Sequence, residues 1–342
     1  MLIKKPYFIA EISANHNGLL KNAKKLIREA KKYGADAVKL QTYKPETMTV
    51  DSKKKYFKIK SGLWKDYYLW DLYKKGHTPW SWHKELFNYA KKLKIKIFST
   101  PFDETAVDFL EKLNCPFYKI SSFEMTDLEL IKKVASTKKD IIISTGMSSL
   151  SEIELSYITA KKYGAKNIIL LYCVSNYPSK LDDFSLNNIR ILKDKFRCRV
   201  GLSDHSKDNI IANTAVSLGA TIFEKHIALE KQKKGLDIEF SLKGKEILGY
   251  RNILDKTYNL IKKNYFFRSN QELKNKRFRR SLFAIDNIEK GQKFTRKNIG
   301  RIRPGNGIDA SFYAKLLHKK SPEFVKKHNP LKKIFLKKLH LI

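Results

Sequence analysis

The 342-residue chain contains few cysteines and no long apolar run, and each absence argues against a class of protein. Its three cysteines, Cys115, Cys173 and Cys198, form no C-x-x-C pair, so a disulfide framework is not expected. No apolar stretch approaches the ~20 residues that a membrane-spanning helix requires. The first residues also lack the pattern of a secretory signal. We therefore expect buried, reduced thiols in a cytoplasmic protein without a membrane partner.

Acidic residues are scarce beside basic ones, with 34 Asp and Glu against 70 Lys and Arg and a formal net charge of +36. An excess of this size is typical of proteins that bind nucleic acid. Most of the lysines, however, lie in pairs such as Lys24-Lys25, Lys91-Lys92 and Lys161-Lys162, spread along the chain instead of gathered in one tract. We interpret them as a solvated surface that attracts anionic, phosphorylated substrates, and we expect no nucleic-acid partner.

Short apolar runs alternate with segments of helical spacing up to about residue 264. The eight runs that predict strands are residues 7–12, 37–42, 95–100, 117–121, 140–145, 168–174, 199–204 and 221–227. The segments that predict helices include residues 104–113, 127–136, 150–163, 186–196, 208–218 and 245–263, and Ser151-x-x-Glu154 predicts a capping box. This alternation predicts an α/β fold, a closed (β/α)8 TIM barrel over residues 1–264. An open doubly wound sheet is the alternative, but no G-x-G-x-x-G follows the first strand.

The remainder of the chain has a different character. Residues 265–278 are polar, charged and without periodicity, which predicts a linker. Residues 279–342 contain short apolar runs and Gly-containing turns, which predict a small domain of short strands. A domain of this size is expected to act as a lid on the barrel.

Two histidines lie where predicted strands end. His205 follows the run Gly201-Leu202-Ser203-Asp204, and His226 closes Glu224-Lys225-His226. Imidazoles on neighbouring strand ends can share one divalent metal and leave positions open for substrate oxygen or water. Two unrelated histidines, one at a helix cap and one buried, remain the alternative on spacing alone.

Lys39 and Lys119 lie inside apolar strands, where an ammonium group needs a phosphate or carboxylate partner. The alternative is that both point outward between barrel and helices and snorkel to solvent. Barrel active sites lie at the carboxyl ends of the strands. The polar residues at those ends therefore form one candidate constellation: Glu11, Lys39, Gln41, Thr100, Lys119, Ser122, Thr145, Ser175, Tyr177, Ser203, Asp204, His205, Lys225 and His226.

The insertion of residues 44–79 after the second strand is rich in aromatic residues, among them Trp64, Tyr68, Trp70 and Tyr73. A loop of this length in a compact barrel is usually functional, and aromatic faces suit a sugar ring or an acyl group. A packing role, in which the insertion covers the barrel mouth, is the alternative.

The motifs of the chain, in their order, resemble the sialic acid synthase family over nearly its whole length. The motifs of the barrel are Ile9-Ala10-Glu11-Ile12, Asn15-His16-Asn17-Gly18, Val38-Lys39-Leu40-Gln41-Thr42, Ser99-Thr100-Pro101-Phe102, Tyr118-Lys119-Ile120, Ser144-Thr145-Gly146-Met147, Gly201-Leu202-Ser203-Asp204-His205 and Glu224-Lys225-His226. Arg280-Ser281-Leu282 and Arg303-Pro304-Gly305-Asn306-Gly307 resemble the antifreeze-like (SAF) domain of the same family.

The resemblance implies a metal-dependent condensation of phosphoenolpyruvate with an acylamino sugar aldehyde. It implies that His205 and His226 hold the metal, with Mn²⁺ expected and Mg²⁺ or Co²⁺ as alternatives, and that Glu11 acts at the sugar or on the attacking water. The implied ligands of phosphoenolpyruvate are Lys39, Thr100, Lys119, Ser122 and Ser203. Gln41, Tyr177 and Asp237 would contact the substrates, and Ser175 stands where the family often has an asparagine near the phosphate. Family members are dimers, so Arg303 would reach the sugar of the partner subunit.

The aromatic insertion resembles the pseudaminic acid synthases within this family. They use 2,4-diacetamido-2,4,6-trideoxy-altropyranose, whose methyl and second acetamido group offer apolar surface to aromatic side chains. Synthesis of N-acetylneuraminate or legionaminate is the alternative within the family. A basic nucleic-acid-binding protein built on an inactive barrel is the alternative from another class, and steeply salt-dependent binding would favour it.

Overall fold

The structure, a computed structural model, describes residues 4–342, so the first three residues of the predicted barrel domain lie outside the described residues. The chain divides into two compact units, Met1–Asn264 and Tyr265–Ile342. No helix among residues 4–342 is both long and apolar enough to cross a membrane.

The first unit is a closed barrel of parallel strands, as the alternation of the sequence predicts. Its strands are β1 (Tyr7–Glu11), β2 (Ala37–Thr42), β3 (Lys96–Pro101), β4 (Tyr118–Ile120), β5 (Ile141–Ser144), β6 (Ile168–Cys173), β7 (Arg199–Asp204) and β8 (Ile222–Ala228). Each strand pairs with the next along the chain, and β1 also pairs with β8, which closes the barrel. A short strand, β9 (Leu242–Lys243), pairs parallel with the last residues of β8. The carboxyl ends of all eight barrel strands therefore meet at one face.

Helices follow the strands on the outside of the barrel. In chain order they are α1 (Leu20–Lys32), α2 (Pro45–Met48), α3 (Leu69–Gly76), α4 (Trp80–Lys92), α5 (Glu104–Lys112), α6 (Leu128–Ser136), α7 (Leu150–Lys162), α8 (Asn188–Phe196), α9 (Asn209–Ser217) and α10 (Lys245–Ile261). Helix α1 shows why they pack, because Ala23, Leu26, Ile27 and Ala30 recur at helical spacing and are fully buried. Each large apolar side chain buried in this way contributes about 1.5–3 kcal/mol.

The predicted capping box of α7 is wrong by two residues. The helix begins at Leu150, and the Ser149 side chain accepts a hydrogen bond from the Glu152 backbone while the Glu152 carboxylate accepts one from the Ser149 backbone N–H. The sequence contains two overlapping S-x-x-E matches, and the match that starts at Ser151 lies inside the first turn. The pattern alone could not choose between the two frames.

The second unit has its own sheet and its own core. Strand β10 (Ser281–Ala284) pairs antiparallel with β11 (Ile299–Ile302) and with β12 (Ile308–Asp309). Leu282, Phe294 and other apolar side chains form a separate buried cluster. Three short helices complete the unit: α11 (Asn270–Lys274), α12 (Tyr313–Leu316) and α13 (Ile334–Lys338). Residues 265–278, predicted as a linker, fall within this unit and contain α11.

Candidate active site

Two lysines and two glutamates form a charged layer inside the barrel. Lys39 Nζ lies 2.7 Å from Glu11 Oε2 and 3.6 Å from Glu224 Oε2, and Lys119 Nζ lies 3.0 Å from Glu224 Oε1. None of the four side chains is more than 4% exposed. Because Lys119 on β4 and Glu224 on β8 belong to opposite sides of the barrel, they can meet only in its lumen. The alternative in which Lys39 and Lys119 snorkel outward is therefore wrong.

The two carboxyl groups of this layer differ in proton affinity. Burial raises the pKa of Glu11 to about 7, although Lys39 opposes the shift. Burial also favours the neutral form of Glu224, but Lys119 and Lys39 outweigh it and lower its pKa to about 2. Glu224 is therefore the permanent counter-ion of both lysines, and Glu11 is the carboxyl group that can exchange a proton near neutral pH.

Two hydroxyl groups contact the charged layer, and two others lie beside Gly146. Lys39 Nζ donates to Thr100 Oγ1 at 3.0 Å, and Ser203 Oγ donates to Glu224 Oε1 at 3.1 Å. Gly146 N donates to Ser122 Oγ at 3.1 Å, and a Cβ atom at Gly146 would lie 2.1 Å from Ser175 Oγ. Only glycine therefore fits between the two serines. The lumen combines positive charge with hydroxyl donors, a combination that suits an anionic substrate.

The two predicted metal ligands are neighbours. The rings of His205 and His226 lie 5.4 Å apart between centroids, and both are buried. His205 Nδ1 lies 3.1 Å from Val174 O, so its N–H donates there, which leaves Nε2 as the ring nitrogen that could bind a metal. Buried His226 Nδ1 has no hydrogen-bond partner, and burial holds the pKa of this ring well below its usual value.

These two rings fit a catalytic metal better than a structural one. Among residues 4–342, no group of three or more His, Cys, Asp and Glu side chains is arranged to hold a metal. Two imidazoles would leave coordination positions for water or substrate oxygen. Burial opposes protonation of His205, but Cys173 and the Val174 carbonyl outweigh it and raise its pKa.

A cavity of about 370 Å³ opens beside His226. The predicted substrate contacts Gln41, Tyr177 and Asp237 all line it. The Tyr177 ring lies 4.5 Å from that of His205, and Asp237 accepts a hydrogen bond from Ser13 Oγ. Most of the predicted site residues of this unit thus lie in the lumen or around this cavity, whereas Ser175 lines a second cavity together with Thr145. Arg303 belongs to the second unit and is exposed.

Asp204 and Lys225 do not belong to this site, although both lie at strand ends. They pair with each other at 3.1 Å, and Asp204 Oδ2 accepts a hydrogen bond from Tyr250 Oη of α10. The reason is the two-residue alternation of a strand, which directs Ser203 and Glu224 inward and their neighbours toward the helices. Thr145 likewise bonds to Leu171 O and lines a separate cavity.

The sequence analysis did not single out Glu224 or Glu124. Glu224 stands two residues before His226 on β8, so strand alternation alone could have placed both on the lumen face. Glu124 follows β4 in the chain, lines the cavity and accepts a hydrogen bond from Ser121 Oγ. Burial raises its pKa to about 7. No local pattern distinguishes Glu124 from a solvated loop glutamate.

Known proteins share this architecture. Residues 26–262 match the model of the NeuB family. The chain is 40% identical over 338 residues to a pseudaminic acid synthase of Helicobacter pylori, with 96% of this chain and 97% of that protein covered. It is also 40% identical over 325 residues to an N,N'-diacetyllegionaminic acid synthase of Campylobacter jejuni, with 93% and 96% covered.

A solved structure agrees with these matches. The N-acetylneuraminic acid (sialic acid) synthetase of Leptospira borgpetersenii superposes with a TM-score of 0.71 at 29% identity, covering 80% of this chain and 90% of that one. The family model spans more than half of the residues, and the relatives match almost end to end. The chain therefore belongs to the NeuB family, which confirms the sialic acid synthase family expected from its motifs.

Proposed function

We propose that this protein is a pseudaminic acid synthase, a transferase that condenses phosphoenolpyruvate with 2,4-diacetamido-2,4,6-trideoxy-altropyranose to give pseudaminic acid and phosphate. The observation that carries the proposal is the pair of buried ammonium groups, Lys39 and Lys119, inside a barrel whose mouth holds His205 and His226. The names of the relatives from Helicobacter pylori and Campylobacter jejuni, at 40% and 39% identity, support the choice of product.

The charged layer binds phosphoenolpyruvate, which carries both a phosphate and a carboxylate. Lys39 and Lys119 supply the positive charge, and Glu224 keeps it fixed in the free enzyme. Hydroxyl groups supply the remaining hydrogen bonds, and the residues proposed for this role are Thr100, Ser122, Ser175 and Ser203. Because these groups are buried and already oriented, little reorganisation accompanies binding.

The sugar occupies the cavity beside His226, where Gln41, Tyr177 and Asp237 contact it. Carbon C3 of phosphoenolpyruvate attacks the aldehyde carbon of the open-chain sugar, which forms the new C–C bond, and the aldehyde oxygen takes up a proton from water to become a hydroxyl. Positive charge then develops at the phosphate-bearing carbon C2. Water adds to C2, and phosphate leaves with cleavage of the C–O bond.

Glu11 is placed to assist at C2. Its carboxylate lies in the lumen 2.7 Å from Lys39, so a substrate held by that lysine is within its field. An ionised Glu11 stabilises the developing cation, and a pKa of about 7 lets the same group take a proton from the attacking water.

We propose that His205 and His226 hold a divalent metal, with Mn²⁺ as the first choice and Mg²⁺ or Co²⁺ as alternatives. When bound, the metal supplies Lewis-acid polarisation of a carbonyl oxygen. The chain prepares the site by keeping His226 neutral and by fixing the His205 ring against Val174. The ion that restores turnover after treatment with a chelator identifies the metal.

We propose that the second unit is an antifreeze-like (SAF) domain of a homodimer, in which Arg303 of one subunit acts at the partner's sugar site. The support is the resemblance of the motifs around Arg280 and Arg303 to that domain. Inactive Arg303→Ala and inactive His226→Ala proteins, refolded together, are expected to regain up to about a quarter of wild-type activity, because some mixed dimers contain one intact site. A mixture that stays inactive would argue for action within one subunit.

Phosphate release tests the main proposal. Purified protein with Mn²⁺ and phosphoenolpyruvate is expected to release phosphate with 2,4-diacetamido-2,4,6-trideoxy-altropyranose, and at least about tenfold more slowly with 2,4-diacetamido-2,4,6-trideoxy-mannopyranose or N-acetylmannosamine. Preference for the mannose sugar would favour a legionaminate synthase. This is the second candidate function, because the chain is also 40% identical to the N,N'-diacetyllegionaminic acid synthase of Campylobacter jejuni. If folded protein releases no phosphate with any of the three sugars, the synthase assignment is overturned.

A further inference from the structure

Helix α3 carries an apolar stripe that does not pack into a hydrophobic core. Leu69, Leu72, Tyr73 and Gly76 recur at the spacing of one helix face. All four line the cavity beside His226. Neither hydrophobic cluster found among residues 4–342 includes any of them. An amphipathic helix normally buries its stripe against the protein, so this helix is built to meet a ligand.

The walls of the cavity have two different characters. The insertion of residues 44–79 contributes only apolar and aromatic side chains: Met48, Ile59, Trp64, Leu69, Leu72 and Tyr73, together with Gly76. The polar groups come from the barrel and the segments next to its strands: Ser13, Gln41, Ser121, Glu124, His226 and Asp237. The barrel side also contributes apolar side chains, among them Phe102, Phe123 and Phe240, so a ligand that fills the cavity meets a mixed wall on the barrel side and a wall without charged groups on the insertion side.

The insertion is held firmly against the barrel. Trp64 Nε1 donates to Leu236 O at 2.9 Å, directly before Asp237, and the Trp64 ring lies 5.3 Å from that of Tyr177. A Cβ atom at Gly76 would lie 3.1 Å from Tyr43 Oη, so the end of α3 approaches the barrel as closely as glycine allows. These contacts fix the apolar wall relative to the groups that hold the sugar.

We infer that this wall, with Leu69 and Leu72 at its centre, binds the C6 methyl end of the sugar and selects 6-deoxy substrates over 6-hydroxy ones. The inference rests on the proposed function, in which the aldehyde carbon C1 faces the histidines. Carbon C6, at the other end of the six-carbon chain, then faces the insertion. A hydroxyl group there would lose its water, and Leu69 and Leu72 offer it no partner, since Tyr73 carries the one hydrogen-bonding side chain of α3 that lines the cavity. An apolar pocket rejects an added hydroxyl by about 10- to 100-fold.

A competition experiment tests the wall. Enzyme, Mn²⁺ and phosphoenolpyruvate are mixed with equal amounts of 2,4-diacetamido-2,4,6-trideoxy-altrose and its 6-hydroxy counterpart, and the two products are separated by mass. Their ratio reports relative kcat/KM and does not depend on how much of a preparation is active. Wild-type protein is expected to favour the 6-deoxy sugar by about 10- to 100-fold. Equal conversion would overturn the inference and leave the proposed function intact, whereas no product from either sugar would count against that function.

Two variants place the selection on α3. Leu72→Asn and Leu69→Asn keep the side-chain size but offer the 6-hydroxyl a hydrogen bond, so each is expected to reduce the preference about tenfold. Leu63→Asn is the matched control, because Leu63 belongs to the same insertion but lines a neighbouring groove. An unchanged ratio in both α3 variants, or an equal fall in the control, would contradict the assignment. If neither α3 variant shows turnover, the inference is judged from the product ratio of the wild-type protein alone.

Discussion

His226→Ala is expected to lower the rate of phosphate release by about three orders of magnitude. The ring contributes one of two imidazoles proposed to hold the metal, and its buried Nδ1 has no hydrogen-bond partner among the described residues, with Asp237 Oδ2 at 3.8 Å. Metal polarisation supplies several kcal/mol of transition-state stabilisation, and about 1.4 kcal/mol corresponds to a factor of ten. Initial rates at saturating phosphoenolpyruvate, sugar and Mn²⁺ measure the loss.

Direct Mn²⁺ binding separates this effect from misfolding. Titration followed by electron paramagnetic resonance is expected to show one tight site in wild-type protein and a loss of at least about tenfold in affinity in the variant. His77→Ala is the matched control, because the His77 ring bonds to Lys74 O within the insertion. Wild-type Mn²⁺ affinity and activity in His226→Ala would show that this histidine is not a ligand.

Glu224→Gln is expected to reduce the free energy of unfolding by about 3–5 kcal/mol near pH 7, because removing one partner of a buried ion pair leaves its charge uncompensated. Here two ammonium groups, those of Lys39 and Lys119, lose the same carboxylate. Urea denaturation followed by circular dichroism measures the change. Added phosphoenolpyruvate is expected to restore more stability to the variant than to wild-type protein, since its negative charges replace the missing one.

The pH dependence of this difference has a definite sign. The pKa of Glu224 in the folded protein is about 2, below its usual value of 4.5, so its contribution is present above about pH 4.5 and is lost as the pH falls toward 2. The gap between wild type and variant should therefore be smaller near pH 3.5 than near pH 7. Glu239→Gln, which removes a solvent-exposed pair with Lys207, should change stability by less than about 1 kcal/mol. Equal effects of the two substitutions would refute a buried charged layer.

The sequence predicted the barrel well because the signal is local. Short continuous apolar runs such as Ile168–Cys173 predict buried strands, and the helical spacing of Ala23, Leu26, Ile27 and Ala30 identifies the face of α1 that packs. The positions of His205 and His226 at strand ends follow from the same runs. Where two local patterns were equally good, as at the start of α7, the sequence could not choose between them.

The direction of each strand-end side chain required the closed barrel. Asp204 and Lys225 look like site residues in the sequence, yet they pair with each other behind the sheet, while Ser203 and Glu224 enter the lumen. A shift of one residue in a strand exchanges its two faces, and short strands such as Tyr118–Ile120 carry too few residues to fix this from pattern alone.

The sequence by itself determined the alternation of strands and helices, the family and the residues that carry its motifs. Tertiary structure decided the partners: it joined Lys119 to Glu224 across 105 positions of chain and turned the apolar stripe of α3 toward a cavity rather than a core. The physical reason is that spacing reports the periodicity of one element, whereas closure of the barrel brings together side chains from opposite strands. Charge balance and the polarity of a cavity arise only from that closure.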